Sequence, residues 1–395
     1  MRILFVVPYV PRPEMSGTLR TYFFLSGLAR RHQVRVLVGT EDESFWSPSD
    51  ANHVRSIAEG LEIHRLTAPR VGRLRRLALQ LATGISAATP PWWLDPTFVK
   101  KVRDEVAAFR PDVVFGEGAA VLHCHALREV PVVVDFYDAH ALRVDPSRDG
   151  VLGAWRRRTA IGRREAFAGS FAQSTIAITE RDASAVKVPR DRVAVVPNGV
   201  DLEHYVPGTT AWEPNSLAFV GAMDYAPNAD AALYLAREVW PLVRRAEPAA
   251  RLFIVGRRPG PEVSALDGRD GITVTGTVDD VRPYAWRSAA TIAPLRFASG
   301  LQNKVLQSLA MEVPVIATPA ATAGLPAERE GIVVADTAAG LAEAFLGLAR
   351  DRERRATLGA RGRRFVVEGF RWDRAIDQLE DVLKRAIESH RATRG

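Results

Sequence analysis

Short apolar runs recur along this chain, each closed by a glycine, a proline or a carboxylate and each followed by a longer stretch of helical periodicity. The first run, Arg2 to Val7, enters the proline-rich loop Pro8 to Ser16, and Gly17 then opens a helix expected from about Thr18 to Arg31. Further strands are expected at Val34 to Val38, Leu61 to Leu66, Asp112 to Phe115, Pro131 to Val134, Ser174 to Thr179 and Arg192 to Val196. Helices are expected over about Pro96 to Phe109, Gly153 to Phe171 and Glu180 to Val186, with an arginine-studded apolar helix in Val71 to Pro91. Strands apolar on both faces belong in parallel sheets covered by helices. The Asn-Gly turn in Pro197-Asn198-Gly199-Val200-Asp201 closes this half of the chain.

The second half repeats the alternation. Leu217 to Val220 ends at Gly221, Ala250 to Val255 at Gly256 and Ile272 to Thr275 at Gly276; Ala290 to Pro294 and Gly331 to Val334 follow. Helices are expected over about Asn228 to Arg245, Asp280 to Arg287 and from Ala338 to the end. Strand, helix, strand order throughout predicts an α/β protein of two doubly wound parallel-sheet domains facing a central cleft, with right-handed crossovers. A chain of 395 residues also exceeds what one core supports.

The stretch Pro294 to Pro319 concentrates the chemistry. It reads as a strand end, a small-residue loop at Ser299 and Gly300, a helix from about Leu301 to Met311, and a strand from Pro314 to Ala317. A glycine-bearing loop entering a helix leaves unpaired N–H groups at the positive end of the helix dipole, which suits an anion. Lys304, one of five lysines in an arginine-rich chain, adds a full charge one turn in. A plain crossover with a tight turn is the alternative. Gly17, after the first strand, marks a second such loop. Asp135, Tyr137, Asp138 and His140 follow the Pro131 to Val134 strand, and Glu117 ends the one before it; strand carboxyl ends are where open parallel sheets bind ligands.

Composition narrows the class. At 47% hydrophobic and 25% charged the chain is an ordinary globular protein, and the one cysteine, Cys124, excludes an internal disulfide or a cysteine-rich zinc site. No apolar run is long enough to span a bilayer and Met1 leads directly into a strand, so a cytoplasmic protein without leader or anchor is expected. The net charge of +7 gathers at Arg70, Arg73, Arg75 and Arg76, and at Arg156, Arg157, Arg158, Arg163 and Arg164. Nucleic acid is not the expected partner, because no interleaved aromatics or recognition motif accompany the arginines. A peripheral contact with an anionic membrane or an acidic acceptor suits them, as do plain solvated faces. Trp92 and Trp93 either line an acceptor cleft or pack.

The ordered set VVPNGVD (Val195 to Asp201), FVGAMDYAPN (Phe219 to Asn228), IVG (Ile254 to Gly256), TGTVDDV (Thr275 to Val281) and NKVLQSLAMEVPVIAT resembles the retaining glycosyltransferases of family 4, with the GT-B fold. Within that family it looks most like the sugar transferases of exopolysaccharide and exosortase systems. Phe370-Arg371-Trp372-Asp373 resembles the signature ahead of a C-terminal helix that crosses back onto the first domain. The resemblance implies an acceptor domain over 1–200, a nucleotide-sugar donor domain over 201–370 and the crossing helix over 371–395.

It also implies roles. The donor base would meet Thr277 and Val278; the diphosphate would meet Gly300, Leu301 and Gln302 with Lys304 beside it, and Gly17 from the other side. Tyr137-Asp138 stands where many family members carry His-Asp, with His140 two residues on, so Asp138 or His140 would bind sugar hydroxyls or the leaving region. Glu117, Tyr137, Trp92 and Trp93 are the weaker acceptor candidates. The family's two glutamates fall on Ser299 and Gln307, so both carboxylates are absent here. The family's diphosphate-clamping Arg and Lys are missing too, with Ala222, Met223 and Asp224 near the expected place; Lys304 and Arg257 would compensate.

The expected enzyme moves a hexose from a nucleoside-diphosphate sugar, UDP-sugar favoured, to a hydroxyl acceptor in glycan, glycolipid or natural-product biosynthesis, with lipid-linked, polysaccharide and small natural-product acceptors all open. The nucleotide sugar is substrate, and no cofactor is expected. Asp135-x-x-Asp138 lacks the Asp-x-Asp spacing of metal-dependent transferases, so no metal is expected either. The alternatives are a non-catalytic, transferase-like binding subunit and another GT-B enzyme such as a nucleotide-sugar epimerase.

Overall fold

The computed structural model describes residues 1–13, 18–41, 46–66, 95–144, 146–209 and 213–394. They form two compact units, Met1–Pro197 with Trp372–Gly395, and Asn198–Arg371.

The first unit holds β1 (Arg2–Val7), β2 (Gln33–Thr40), β3 (Gly60–Arg65), β4 (Val113–Glu117), β5 (Val132–Asp135), β6 (Ser174–Ala177) and β7 (Val193–Val195) in one parallel sheet. Their spatial order is β3-β2-β1-β4-β5-β6-β7. The apolar run of β1 divides by parity, as side chains on a strand must. Ile3, Phe5 and Val7 join one core with the helix Leu19–Ala29 and the C-terminal helix Trp372–Ala392; Leu4 and Val6 join another with the helix Pro96–Phe109. Trp372 stacks on Phe23 at 4.5 Å and meets Phe24 edge-on at 5.9 Å. A Cβ at Gly27 would lie 2.2 Å from Ile376 Cδ1, so the glycine is the notch into which the C-terminal helix seats. Arg31 binds Asp377 and Glu380 at the rim of this contact.

The second unit holds β8 (Glu213–Val220), β9 (Arg251–Val255), β10 (Ile272–Val274), β11 (Ser288–Ala293), β12 (Val315–Ala317) and β13 (Ile332–Val334), also all parallel, in the order β10-β9-β8-β11-β12-β13. In each sheet the order turns back beside its first strand, between β1 and β4 and between β8 and β11. Those two switch points open crevices at the strand carboxyl ends. The architecture is the expected pair of doubly wound sheets.

Several boundaries differ from expectation. The helix after Gly300 starts at Asn303, not near Leu301, because Gly300 sits at φ 63° and Gln302 at φ −81°, ψ 95°, outside helical geometry. Lys304 is therefore the second residue of the helix Asn303–Ala310 rather than one turn in. The segment expected as one helix from Asn228 comprises Ala226–Tyr234, a π turn over Leu235–Val239, and Trp240–Ala246. Pro48–Ile57 is a helix the periodicity did not announce, closed by a reciprocal capping box between Ser47 and Asp50. The expectations placed on Gly17, on Trp92 and Trp93, and on Arg70, Arg73, Arg75 and Arg76 lie outside the described residues.

Candidate active site

In the second unit the ends of β8 and β9 approach until only glycine fits. Gly221 N–H donates to Val255 O at 2.9 Å, and Met223 N–H to Arg257 O at 2.9 Å. Gly256 has φ 152°, and a Cβ there would stand 1.7 Å from Gly221 O. A Cβ on Gly221 would in turn fall 2.7 Å from Asn228 Nδ2 and 3.1 Å from Lys304 Nζ. Strand ends, Asn228 and Lys304 are thus packed at one place beside the β8–β11 switch point.

Lys304 donates to Asn228 Oδ1, and Asn228 Nδ2 donates onward to Ala222 O at 2.9 Å. The ammonium also lies 5.0 Å from the centroid of the Phe219 ring. No carboxylate pairs with it among the described residues, and burial pushes it down to about 7 from its ordinary 10.5. Arg257 is a second cation here without an ion pair among the described residues, and its buried Nε has no hydrogen-bond partner. Its neighbours are neutralised: Arg258 by Asp224 at 3.4 Å and Arg296 by Asp230 at 2.5 Å.

The helix Asn303–Ala310 begins without a side-chain cap. Gln302 instead donates through Nε2 to Ser299 O at 2.9 Å, and Asn198 Nδ2 donates to Asn303 Oδ1 at 3.1 Å. Val305 N–H turns back to Gln302 O at 3.0 Å, so of the first turn the Asn303 and Lys304 N–H groups are the ones left for an outside acceptor. Ser299 and Leu301 are buried, while Gln302, Asn303, Lys304 and Gln307 are half-buried along one side. Thr277 is exposed, and Val278 packs on the cluster of Ala218, Phe253 and Val255. An ammonium without a carboxylate partner among the described residues, at the start of a helix without a side-chain cap, is equipped to hold a polyanion such as a diphosphate.

The first unit carries a different cluster at its own switch point. Arg20, fully buried, donates from Nε to Asp135 Oδ2 at 2.7 Å. The other carboxylate oxygen, Oδ1, accepts Tyr137 N–H at 2.9 Å and holds that residue at φ 66°. Thr21 donates to Glu117, whose carboxyl is pushed up to about 8 by burial and then by the charge of Asp135. The Tyr137 phenol is pushed well above its ordinary range by the same burial. Asp138 is buried with its Oδ1 3.7 Å from Nε2 of the exposed His140. Among the described residues no three His, Cys, Asp or Glu side chains gather to hold a metal ion.

The structure thus brings Lys304 and Gln302 together with Ser299, and Glu117, Tyr137, Asp138 and His140 form the separate group in the first unit. Asn228, Asn198, Arg20 and Thr21 were missed as individual residues. The asparagines were visible only as letters of a motif, and nothing local in the sequence joins Thr21 to Glu117.

Comparison with known proteins assigns both units to the same class. Residues 18–204 match the model of Glycosyltransferase Family 4, and residues 214–351 match that of Glycosyl transferases group 1. The D-inositol 3-phosphate glycosyltransferase of Saccharomonospora viridis is 28% identical over 236 residues, 51% of this chain, and the match spans only about half (52%) of that relative's length. Anabaena HepE, solved with UDP and glucose, superposes with a TM-score of 0.69 over 97% of this chain and 99% of its own, at 14% identity. Sucrose-phosphate synthase from Thermosynechococcus elongatus gives 0.70 over 98% and 100%, also at 14% identity. S. aureus TarM, solved with UDP, alpha-GlcNAc-glycerol and Fondaparinux, gives 0.69 over 97% and 99%, at 8% identity. These likenesses fix the fold as GT-B.

Proposed function

We propose, from the premise that a glycosyltransferase domain in each unit makes this chain a GT-B glycosyltransferase, that it moves a sugar from a nucleoside-diphosphate sugar to a hydroxyl acceptor. The observation that carries the reading is the charge imbalance of the second unit: Lys304, Arg257 and an uncapped helix N-terminus at the β8–β11 switch point, with no carboxylate beside the ammonium. A diphosphate supplies the absent negative charge. HepE and TarM were solved with UDP, which favours a uridine donor.

In this reading the β-phosphate of the leaving nucleotide takes hydrogen bonds from the first-turn N–H groups and from Lys304. Charge that develops on the departing oxygen is thereby stabilised without reorganisation. Thr277 and Val278 lie against the base, Ser299 and Gly300 border the donor sugar and diphosphate, and Leu301 anchors the loop in the core. Gln307 takes the ribose diol as a neutral partner, so that contact lacks the charge assistance a glutamate gives. Asp138 and His140 are the candidates for binding sugar hydroxyls or the leaving region, and Glu117 and Tyr137 the weaker candidates for the acceptor. Retention of anomeric configuration, a hexosyl donor and independence of metal complete the proposal. A lipid-linked hydroxyl and a small natural-product hydroxyl both suit it as acceptor.

The test is release of nucleoside diphosphate from a panel of nucleotide sugars, with and without polyprenyl-phosphate-linked sugars and phenolic or alcoholic small molecules. Turnover with at least one donor, faster when an acceptor is present, is expected. Donor binding without turnover under every acceptor would instead make the chain a binding subunit.

A further inference from the structure

The helix Pro146–Phe171 of the first unit carries an apolar patch that is exposed among the described residues. Toward its C-terminal end the helix is packed: Gly162 faces Lys187, Gly169 faces Val188, and Glu165 and Ala168 are buried; nearer the other end Ala154 is buried too. Toward its N-terminal end, just after the non-helical Gly150, Val151 is 82% exposed, Leu152 60% and Trp155 62%. These are three of the seven exposed large hydrophobic residues among the described ones, gathered within five positions. At about 100° per residue Val151 and Trp155 continue the side on which Gly162 is packed, with Arg158 between them and Gly162 and with Leu152 about 100° round from Val151.

Its flanks are of one sign. Val151 to Arg164 contains five arginines and no carboxylate, and Arg156, Arg157, Arg158 and Arg163 are exposed. A solvated face ordinarily mixes both signs. A symmetric contact between two copies through this face would gather both arginine-rich segments into one interface, with no carboxylate between Val151 and Arg164 to offset them. Nucleic acid would set the apolar stripe against phosphate.

We propose that this helix is a peripheral docking surface for an anionic lipid bilayer. Val151, Leu152 and Trp155 enter the headgroup–acyl boundary while the arginines lie among lipid phosphates, which is the division of labour of an interfacial amphipathic helix. The proposal stands on this helix alone and does not depend on the transferase reading.

Sedimentation of the full chain with vesicles tests it. Binding to phosphatidylcholine mixed with phosphatidylglycerol, weak binding to phosphatidylcholine alone, and release by high salt are expected. Arg156→Ala and Arg157→Ala should each weaken binding by about fivefold. Leu152→Ser with Trp155→Ser should weaken it by tenfold or more while leaving the circular dichroism spectrum unchanged, as befits exposed sites. Brominated lipid should quench tryptophan fluorescence in the wild type and not in Trp155→Phe. Equal binding to neutral vesicles, no binding to anionic ones, or anionic binding untouched by these substitutions overturns the proposal. So does a dimer in solution that Trp155→Ser dissociates, which would assign the stripe to a second copy.

Discussion

Lys304 shows how much a single residue's surroundings matter to the account. Its ammonium is held near 7 because it is buried with an amide, not a carboxylate, for company. A bound diphosphate draws the proton back, so nucleotide binding takes up a proton above pH 7, and UDP affinity should fall as pH rises from there, by up to tenfold per unit. Titration calorimetry across that range checks this, with Lys304→Ala expected to flatten the slope. Glu117 behaves oppositely in stability. Its carboxyl is at about 8 in the fold against an ordinary 4.5. Between those values the folded chain keeps a proton that the unfolded chain has lost, so this residue's contribution falls as pH rises through the window. Glu117→Gln still accepts from Thr21, and its urea midpoint should gain steadily on the wild type from pH 5 to pH 8; a constant difference would contradict a buried neutral acid. Neither environment was legible in the sequence. Asn228 and Lys304 lie 76 positions apart, and Glu117 and Thr21 96 apart, so only the folded chain makes them neighbours.

The elements were more legible, because a strand buried on both faces has to be an uninterrupted apolar run. Arg2 to Val7 was read to the residue, and the glycines after β8 and β9 were read as strand ends. What they do there was not: Gly256 and Gly221 let two loops touch, a relation between strands rather than along one. Gly256→Ala puts a methyl group into Gly221 O and should cost more than about 2 kcal/mol, read as a lowered denaturation midpoint together with lost UDP binding. The start of the helix Asn303–Ala310 escaped because its boundary is set by the backbone of Gly300 and Gln302, while apolar periodicity runs on through Leu301. The C-terminal helix is seated by Trp372, stacked on Phe23 and edge-on to Phe24, together with the buried Ile376, Leu379 and Leu383. Trp372→Ala should destabilise the first unit by about 3–5 kcal/mol, measured by denaturant unfolding; a loss below about 1 kcal/mol would show that the aromatic wedge is not what seats the helix.

At the scale of the molecule, alternation of apolar runs and amphipathic helices was sufficient to establish two doubly wound sheets, and the order of motifs along the chain to indicate the class of enzyme. Of the proposed site, the lysine and the glycine loop of Pro294 to Pro319 stand out in the sequence, whereas Ser299 and Gln307, where the resemblance leads one to expect glutamates, give no indication of how such a site would compensate. In the second unit Lys304 stands beside Asn228 at the β8–β11 switch point with no carboxylate paired to it among the described residues. A polyanion is what that arrangement lacks. The most direct measurement is a calorimetric titration of UDP into the wild-type chain and into Lys304→Ala at neutral pH. Saturable binding by the wild type, weakened about 10- to 100-fold in the variant, is predicted from the worth of a hydrogen bond to a charged group. No binding by the wild type, or equal affinity in both, would contradict the nucleotide site.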